Sequence, residues 1–281
     1  MLGASGKTLR MKRIFNERTE KSLIIPLDHG VTMGPLKGIV DVKPMVDMVL
    51  SNGANGVVLH KGLARHSIPV IKANNALIIH MSASTDIGKH TPDKVTVCSV
   101  WHAVRLGADA VSVHINFGSE TEPRQIEDMA KIAEECEIYG IPLLVMAYAR
   151  GESINELDPE TVAHAVRVAV ELGADIVKCN YTGTVESFQQ VTQACQVPIL
   201  IAGGPSINST CDLFKMVANA LAAGAAGVSI GRNIFEFTRP DLMIRQLFKI
   251  VHHGVDPVEA AEELENLMYG ISGSNRVLTL K

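Results

Sequence analysis

The chain of 281 residues has a formal net charge of −4 at pH 7 and a pI of about 6.2, which gives no general reason to expect nucleic acid or an anionic membrane surface as a partner. Its apolar fraction of 47% is enough for a sizeable core, but no apolar run reaches the roughly 18 residues that span a bilayer. Five cysteines without C-x-x-C spacing, and a start without an apolar secretory region, predict a cytoplasmic protein with reduced thiols.

Eight short apolar runs bounded by turn residues predict β-strands. In chain order they cover 23–27, 57–59, 77–80, 110–115, 143–148, 175–179, 199–202 and 227–230. Patterns of helical period between them predict helices at 41–51, 99–106, 122–139, 159–172 and 210–223. Asp158 before Pro159 is a candidate N-cap. Residues 61–76 are predicted as a loop, and 83–98 as a long loop with an extra strand at 95–98.

Strand–helix alternation repeated eight times predicts a parallel sheet with right-handed crossovers. Eight units in about 250 residues match a (β/α)8 TIM barrel, with a doubly wound open sheet as the alternative. Residues 1–20 and the segment after Arg239, most clearly 256–268, are predicted as additional helices, and 270–281 as a flexible tail. Because no linker or compositional break is visible, we expect a single α/β domain over 1–281.

Four of the predicted strands, in the segments 52–60, 106–114, 172–180 and 223–231, follow a glycine turn and alternate in the same way. One face of these strands carries apolar side chains. The other face carries side chains that are small or polar near the strand ends, and Lys178 is one of them. In a closed barrel the apolar face meets the helices, so Lys178 points to the centre. An open sheet would not need the small, polar second face.

Lys178 is therefore predicted to be a buried amine. Burial of an unpaired ammonium is costly and lowers the pKa of such a group. A partly neutral amine that faces a cavity is a Schiff-base nucleophile. Two alternatives stay open: Lys178 could reach solvent, or Lys61, one position past His60 on the apolar parity of its strand, could be the imine-forming lysine.

Barrel enzymes place their chemistry at the carboxyl ends of the strands. Asp28 after the first strand could move protons near the imine, or it could cap the following turn. Tyr148 at the end of the fifth strand could exchange a proton with a substrate, or it could pack at the rim. Arg150 could bind a carboxylate or phosphate, or it could be solvated.

Glycine turns follow the seventh and eighth strands, where barrels commonly bind phosphate through backbone N–H groups. Gly203, Gly204, Gly231 and Arg232 are the candidates, with tight turns alone as the alternative. Four histidines fall near the ends of the first four strands: His29, His60, His80 and His114. Without H-x-x-H or H-E-x-x-H spacing, they are predicted to line a substrate pocket and not to bind a metal, although a histidine-ligated metal barrel remains a remote alternative. We expect no cofactor.

These strand-end motifs resemble the archaeal-type class I aldolases, most closely the 2-amino-3,7-dideoxy-D-threo-hept-6-ulosonate synthases. The similar segments are Pro26–Val31, Leu59–Gly62, Arg65–His66, Val113–Asn116, Gly118–Ser119, Ala202–Pro205 and Gly224–Gly227. Fructose-bisphosphate aldolases share fewer of them. Where the family has Tyr-Pro-Arg this chain has Ala149 in the middle, and where the family has Tyr-Thr-Gly-Asp it has Thr184, which removes a carboxylate expected near the pocket.

The resemblance implies Lys178 as the imine-forming lysine, Asp28 as proton acceptor and Tyr148 as proton donor. It implies phosphate contacts from Gly203, Gly204, Gly231 and Arg232. It also implies transfer of a ketone fragment from a phosphorylated ketose to L-aspartate 4-semialdehyde, and a ring-shaped homo-oligomer.

Charge and position at the strand ends add further candidates for substrate binding. They are His29, His60, Lys61, Arg65, His114 and Arg150. Of these, His60, Lys61 and Arg65 are the candidates for the acceptor's carboxylate. Three alternatives remain: an aldolase that joins dihydroxyacetone phosphate to aspartate semialdehyde, one that joins it to glyceraldehyde 3-phosphate, and a non-catalytic phosphosugar-binding barrel.

Overall fold

The computed structural model describes residues 2–88, 91–204 and 209–270, with only the backbone of residues 2–4. Eight parallel strands close into a barrel in the order β1-β10-β9-β8-β7-β6-β3-β2, and two short strands, β4 and β5, form an antiparallel pair beside it. The strands are β1 (Ser22–Pro26), β2 (Gly56–His60), β3 (Ala76–His80), β4 (Ser82–Ala83), β5 (Val95–Thr96), β6 (Ala110–Phe117), β7 (Leu143–Ala149), β8 (Ile176–Cys179), β9 (Ile199–Ala202) and β10 (Gly227–Ser229). The predicted TIM barrel is confirmed, and strand ends differ from the prediction by at most two residues.

Helices surround the barrel: α1 precedes the first strand, and most of the others follow strands and cover the outside. They are α1 (Leu2–Ile14), α2 (Gly30–Met33), α3 (Val42–Ser51), α4 (Lys61–Ser67), α5 (Val100–Arg105), α6 (Glu122–Tyr139), α7 (Pro159–Glu171), α8 (Val185–Gln193), α9 (Thr210–Ala222), α10 (Arg232–Phe235), α11 (Pro240–His253) and α12 (Pro257–Tyr269). Asp158 caps α7 as predicted, because its side chain accepts a hydrogen bond from the Thr161 backbone N–H. None of the helices in the described ranges combines the length with the apolar character that a bilayer-spanning helix needs.

Two apolar clusters lie on the two faces of the barrel sheet. The outer cluster packs the strands against the helices and includes Val177 and Cys179 of β8. The inner cluster fills the barrel and takes alternate residues such as Leu144, Met146 and Ile176. This alternation is the period of two that the sequence showed, so the inward row of β8 continues from Ile176 to Lys178.

Helix α1 closes the amino-terminal end of the barrel. Its last residue, Ile14, is fully buried in the inner cluster, and its backbone carbonyl accepts a hydrogen bond from the Ser22 hydroxyl at 2.6 Å. Lys7 forms ion pairs with Glu137 and, at 2.9 Å, with Asp175. Because α1 closes this end, a ligand can reach the interior of the barrel from the opposite end, at the carboxyl termini of the strands.

The main differences from the sequence prediction are two short helices. Residues 61–67, predicted as a loop, form the short helix α4, and residues 185–193, for which no helix was predicted, form α8. Both are short, so their periodic signal is weak. The extra strand predicted at 95–98 is present as β5, paired with β4. The tail predicted from residue 270 lies outside the described residues, except for Gly270 itself.

Candidate active site

A cavity of about 280 Å³ opens at the carboxyl ends of the strands. It is lined mainly by ionisable and polar side chains, which converge from seven of the eight barrel strands or the turns after them. The ionisable ones are Asp28, His29, His60, His80, Lys94, His114, Arg150, Lys178 and Arg232. TIM-barrel enzymes have their active sites at this end of the barrel.

Lys178 lies inside the barrel, as the strand parity predicted. It pairs in register with Met146 of β7 on one side and Leu200 of β9 on the other, both members of the inner cluster. The residue is 6% exposed, and it lines the cavity. Its amine is therefore carried on a strand that is paired on both sides, and it is reachable from the carboxyl end of the barrel.

Asp28 follows β1 and stands beside two imidazoles. Its carboxylate lies 3.4 Å from Nδ1 of His29 and 3.8 Å from Nε2 of His80, and its side chain is 11% exposed. Burial alone would raise the pKa of Asp28, but His80, His29 and Lys178 outweigh it and lower the pKa to about 2. Asp28 is thus a carboxylate at neutral pH, which is the form that accepts a proton.

The histidines around Asp28 are kept neutral by burial. Burial lowers the pKa of His80 to about 3 against the attraction of Asp28, and it also lowers the pKa values of His29 and His60. Nδ1 of His80 is hydrogen-bonded to the Ser112 hydroxyl at 2.8 Å, and the rings of His60 and His80 pack 5.1 Å apart. These rings are polar, uncharged walls for a substrate.

His114 is oriented by the chain around it. Asn116 donates from its amide nitrogen to the Pro92 carbonyl at 2.8 Å, so its amide oxygen faces Nε2 of His114, also at 2.8 Å. Because that oxygen only accepts, His114 carries its proton on Nε2. Burial, then Lys94 and Arg150, lower the pKa of His114 well below its usual value.

Tyr148 lies on the inward row of β7, below the rim. Its ring packs 4.9 Å from the ring of His114, and the guanidinium of Arg150 lies 4.5 Å above its centre. Tyr148 does not itself line the cavity, but both of its ring neighbours do. Arg150 also pairs with Glu156 at 3.3 Å. The structure therefore places this predicted group next to the cavity, in contact with two side chains that line it.

The glycine turns after β9 and β10 meet beside Arg232. The Gly203 carbonyl accepts a hydrogen bond from the Asn233 side chain at 2.9 Å, and the Gly204 carbonyl accepts one from Arg232 at 3.3 Å. Gly204 has φ +64°, in the left-handed region that favours glycine. A Cβ at Gly231 would lie 2.6 Å from Cε1 of His29, so a side chain there would collide with the cavity wall.

Two of the predicted charged residues do not line the cavity. Lys61 is the first residue of α4, and its amine donates to the Val97 carbonyl on the outer side of the loop. Arg65 is exposed one turn further along the same helix. The chain turns away from the barrel axis at His60, which lines the cavity, and the short helix carries the next charges outward. The structure also places Thr184 as the exposed N-cap of α8 and not in the cavity wall, which corrects the expectation that position 184 borders the pocket.

Several lining residues were not singled out from the sequence. They are Thr32, Met33, Ser82, Thr91, Pro92, Lys94, Asn116 and Met146. Met146 and Asn116 share the inward parity of their strands and could have been found by that signal. Lys94, Thr91 and Pro92 stand in the loop before β5, where no periodicity indicates which side chains face inward.

The cavity is positively charged although the chain is acidic. Among the lining residues that the structure describes, Asp28 is the one carboxylate, against Lys94, Arg150, Lys178 and Arg232. Such a field attracts anionic substrates into the barrel. Within the described ranges no group of three or more His, Cys, Asp or Glu side chains is arranged to hold a metal ion.

Comparison with known proteins places this site in a family. A model of the DeoC/LacD family aldolases matches residues 22–236. The 2-amino-4,5-dihydroxy-6-oxo-7-(phosphonooxy)heptanoate synthase of Streptomyces griseus is 44% identical over 251 residues, 88% of this chain and 90% of the relative. The 2-amino-3,7-dideoxy-D-threo-hept-6-ulosonate synthase 1 of Archaeoglobus fulgidus is 44% identical over 265 residues, 94% of this chain and 98% of the relative.

A solved structure of an archaeal fructose-1,6-bisphosphate aldolase, with its catalytic lysine covalently bound to the carbinolamine intermediate, is 34% identical with a TM-score of 0.81. It covers 88% of this chain and 99% of its own. The resemblance indicated by the strand-end motifs is confirmed, and the chain belongs to the DeoC/LacD family of aldolases.

Proposed function

We propose that the protein is a class I aldolase or transaldolase that joins a ketone fragment to L-aspartate 4-semialdehyde through an imine on Lys178. The observation that carries the proposal is the inward amine on β8, in a cavity that also holds the Asp28 carboxylate and a surplus of cations. The names of the relatives from Streptomyces and Archaeoglobus both describe seven-carbon 2-amino acids with a ketone at carbon 6. Three carbons from a ketone donor and four from aspartate semialdehyde account for such a chain.

The proposed reaction begins when the Lys178 amine attacks the ketone of a phosphorylated donor. Loss of water gives an iminium, which withdraws electrons from the adjacent carbon and allows the carbon–carbon bond to break or form. In a transaldolase, cleavage leaves an enamine on Lys178 and releases an aldehyde. The enamine then attacks the aldehyde of the acceptor, and water hydrolyses the new imine to free the product.

Protons are assigned to Asp28 and Tyr148. Asp28 is ionised at neutral pH and stands beside neutral imidazoles, so it is suited to take a proton as the carbinolamine loses water or as the donor hydroxyl is cleaved. The Tyr148 phenol is suited to protonate the alkoxide that forms on the acceptor. Gly203, Gly204, Gly231 and Arg232 form the proposed phosphate contacts, with the guanidinium supplying charge.

Two kinds of donor are compatible with this site: one that leaves a phosphate on the product and one that does not. The product named for the Streptomyces relative retains a phosphate at carbon 7, as condensation with dihydroxyacetone phosphate would give, whereas the product named for the Archaeoglobus relative does not. Turnover of a panel of ketose phosphates with aspartate semialdehyde, followed by product mass, distinguishes them. Failure to consume aspartate semialdehyde with any donor would contradict the assignment of the acceptor.

The imine is tested by borohydride reduction of an enzyme–donor mixture. The expected result is an irreversible adduct on Lys178, located by peptide mass spectrometry, and loss of both adduct and turnover in Lys178→Met. Lys61→Met is the matched control, since that lysine points out of the cavity, and it should retain both. An adduct on another residue, or normal turnover in Lys178→Met, would contradict the mechanism.

The proposal includes a cytoplasmic location and a homo-oligomer. All five cysteines are free, which is consistent with a reducing compartment. Light scattering of the purified protein measures the oligomeric state directly.

A further inference from the structure

The loop between β3 and β6 places Lys94 in the cavity wall. Lys94 immediately precedes β5, and its backbone is fixed from below by β6 and α6. The Pro92 carbonyl accepts hydrogen bonds from Asn116 at 2.8 Å and from Gln125 at 3.1 Å, and Thr121 donates to the Asp93 carboxylate at 2.9 Å. Gln125 also donates to the Thr121 hydroxyl, so the side chains that hold residues 92 and 93 are themselves hydrogen-bonded to each other.

The side chain of Lys94 enters the cavity and is half-buried. Its amine donates to the Ser84 hydroxyl, which in turn donates to the Thr91 carbonyl at 2.7 Å. The ion pairs of the described ranges do not include Lys94. Burial, followed by the repulsion of Arg150, lowers its pKa, so the site has a cation that a bound anion would stabilise.

The order of the strands sets Lys94 across the barrel from Arg232. Arg232 follows β10, and β6, which holds the Lys94 loop, is four strands away in either direction around the closed sheet. β8, which carries Lys178, is midway between them. A chain-like substrate bonded to Lys178 can therefore reach Arg232 with one end and Lys94 with the other.

The other cations near this side are already engaged or turned away. Arg150 pairs with Glu156 and packs on the ring of Tyr148, and Lys61 donates to a backbone carbonyl outside the cavity. The seven-carbon product of the proposed function carries its carboxylate at the end remote from the ketone that bonds to Lys178. That carboxylate needs a cation on the side opposite the phosphate contacts.

We propose that Lys94 binds the carboxylate of the aldehyde acceptor and thereby selects an acidic acceptor over a neutral one. The inference rests on the proposed function, and it assigns to the loop before β5 the role that charge alone had suggested for Lys61 and Arg65. The ammonium group supplies a charge-assisted hydrogen bond in addition to the one it makes to Ser84.

Steady-state kinetics of Lys94→Met test this role, with Lys61→Met as the matched control. The KM for L-aspartate 4-semialdehyde should rise about 10- to 100-fold in Lys94→Met, because a hydrogen bond to a charged group is lost. The KM for the phosphorylated donor, and the yield of the borohydride adduct on Lys178 with donor alone, should change less than about 3-fold. Lys94→Arg should recover most of the loss, and Lys61→Met should behave as the wild type.

The possible outcomes distinguish a failure of the role of Lys94 from a failure of the proposed aldolase function. If the adduct forms but the KM for aspartate semialdehyde is the same in Lys94→Met, or if the donor KM rises instead, the role of Lys94 is wrong and the aldolase stands. If the wild type gives no adduct on Lys178, or consumes no aspartate semialdehyde, the proposed function fails and this inference fails with it. Thermal melts check folding, and Lys94→Gln, a polar neutral variant, replaces Lys94→Met if the latter does not fold.

Discussion

The proposed mechanism requires that the buried Asp28 side chain stays ionised. Asp28 is surrounded by His29 and His80, whose own pKa values are lowered by burial, so that both imidazoles are uncharged at neutral pH while Asp28 is ionised. Hydrogen bonding of His80 to Ser112 holds the ring in place. The Asp28 carboxylate is thus available as a base over the whole pH range in which the protein would work, and a pH–rate profile should show no limb caused by its titration above about pH 4.

Removal of the Tyr148 hydroxyl tests the proposed proton donor. Tyr148→Phe keeps the ring between His114 and Arg150 but removes the phenol, so kcat should fall by about 10²- to 10⁴-fold with a donor KM within a few-fold of the wild type. Tyr181→Phe is the matched control, because that tyrosine packs on Phe188 and does not line the cavity. Equal kcat values for the two variants would assign Tyr148 a packing role.

How far sequence reasoning reached depends on whether a residue belongs to a periodic element. Lys178, His60 and His114 are found from strand parity, because one strand residue fixes the direction of its neighbours. Lys94 was not found, because its direction is set by bonds from Asn116, Gln125 and Thr121 to the backbone around it, which no local pattern encodes. Lys61 and Arg65 were assigned to the pocket because α4 was not recognised, and a helix starting at Lys61 turns them outward.

At the scale of the elements, Thr184 explains one departure from the family pattern. Its hydroxyl accepts from the Ser187 backbone N–H at 3.1 Å, and the Ser187 hydroxyl accepts from the Thr184 backbone N–H at 3.2 Å. This reciprocal pair is a capping box at the start of α8. The position therefore needs a side chain that caps a helix, and both threonine and the aspartate usual in the family satisfy that need.

Substitutions at Thr184 should separate capping from catalysis. Thr184→Ala removes the acceptor for the backbone N–H groups and should lower the free energy of unfolding by about 1 kcal/mol, measured by urea denaturation. In Thr184→Asp the free energy of unfolding should stay within a few tenths of a kcal/mol of the wild-type value, since an aspartate caps a helix equally well. Both variants should retain wild-type kcat and KM, and a large change in either constant would show that position 184 acts on the substrate.

At the scale of the whole molecule, the barrel divides stability and chemistry between its two ends. Titratable groups at the carboxyl end line the cavity, whereas the amino-terminal end is closed by α1 and by ion pairs such as that of Arg13 with Asp109 at 2.6 Å. His252 of α11 belongs to this closed end. Its Nδ1 is hydrogen-bonded to the Thr19 hydroxyl at 2.9 Å and its Nε2 to the Asn55 amide oxygen at 3.0 Å, and that oxygen also accepts from the Leu23 N–H.

Titration of His252 should make the fold sensitive to mild acid. Burial, then the neighbouring His253, lower the pKa of His252 to about 4, whereas an unfolded histidine titrates near 6.5. Since the unfolded chain binds the proton first, the contribution of neutral His252 is complete above pH 6.5 and is lost as the pH falls to about 4, by on the order of 3 kcal/mol. His252→Gln should reduce the slope of unfolding free energy against pH in that window, measured by urea denaturation at several pH values. His253→Gln, at the exposed neighbouring position, should reduce the slope much less than His252→Gln, because burial is the larger cause of the low pKa of His252. Equal slopes for wild type and His252→Gln would show that the Thr19–His252–Asn55 bonds do not depend on a neutral ring.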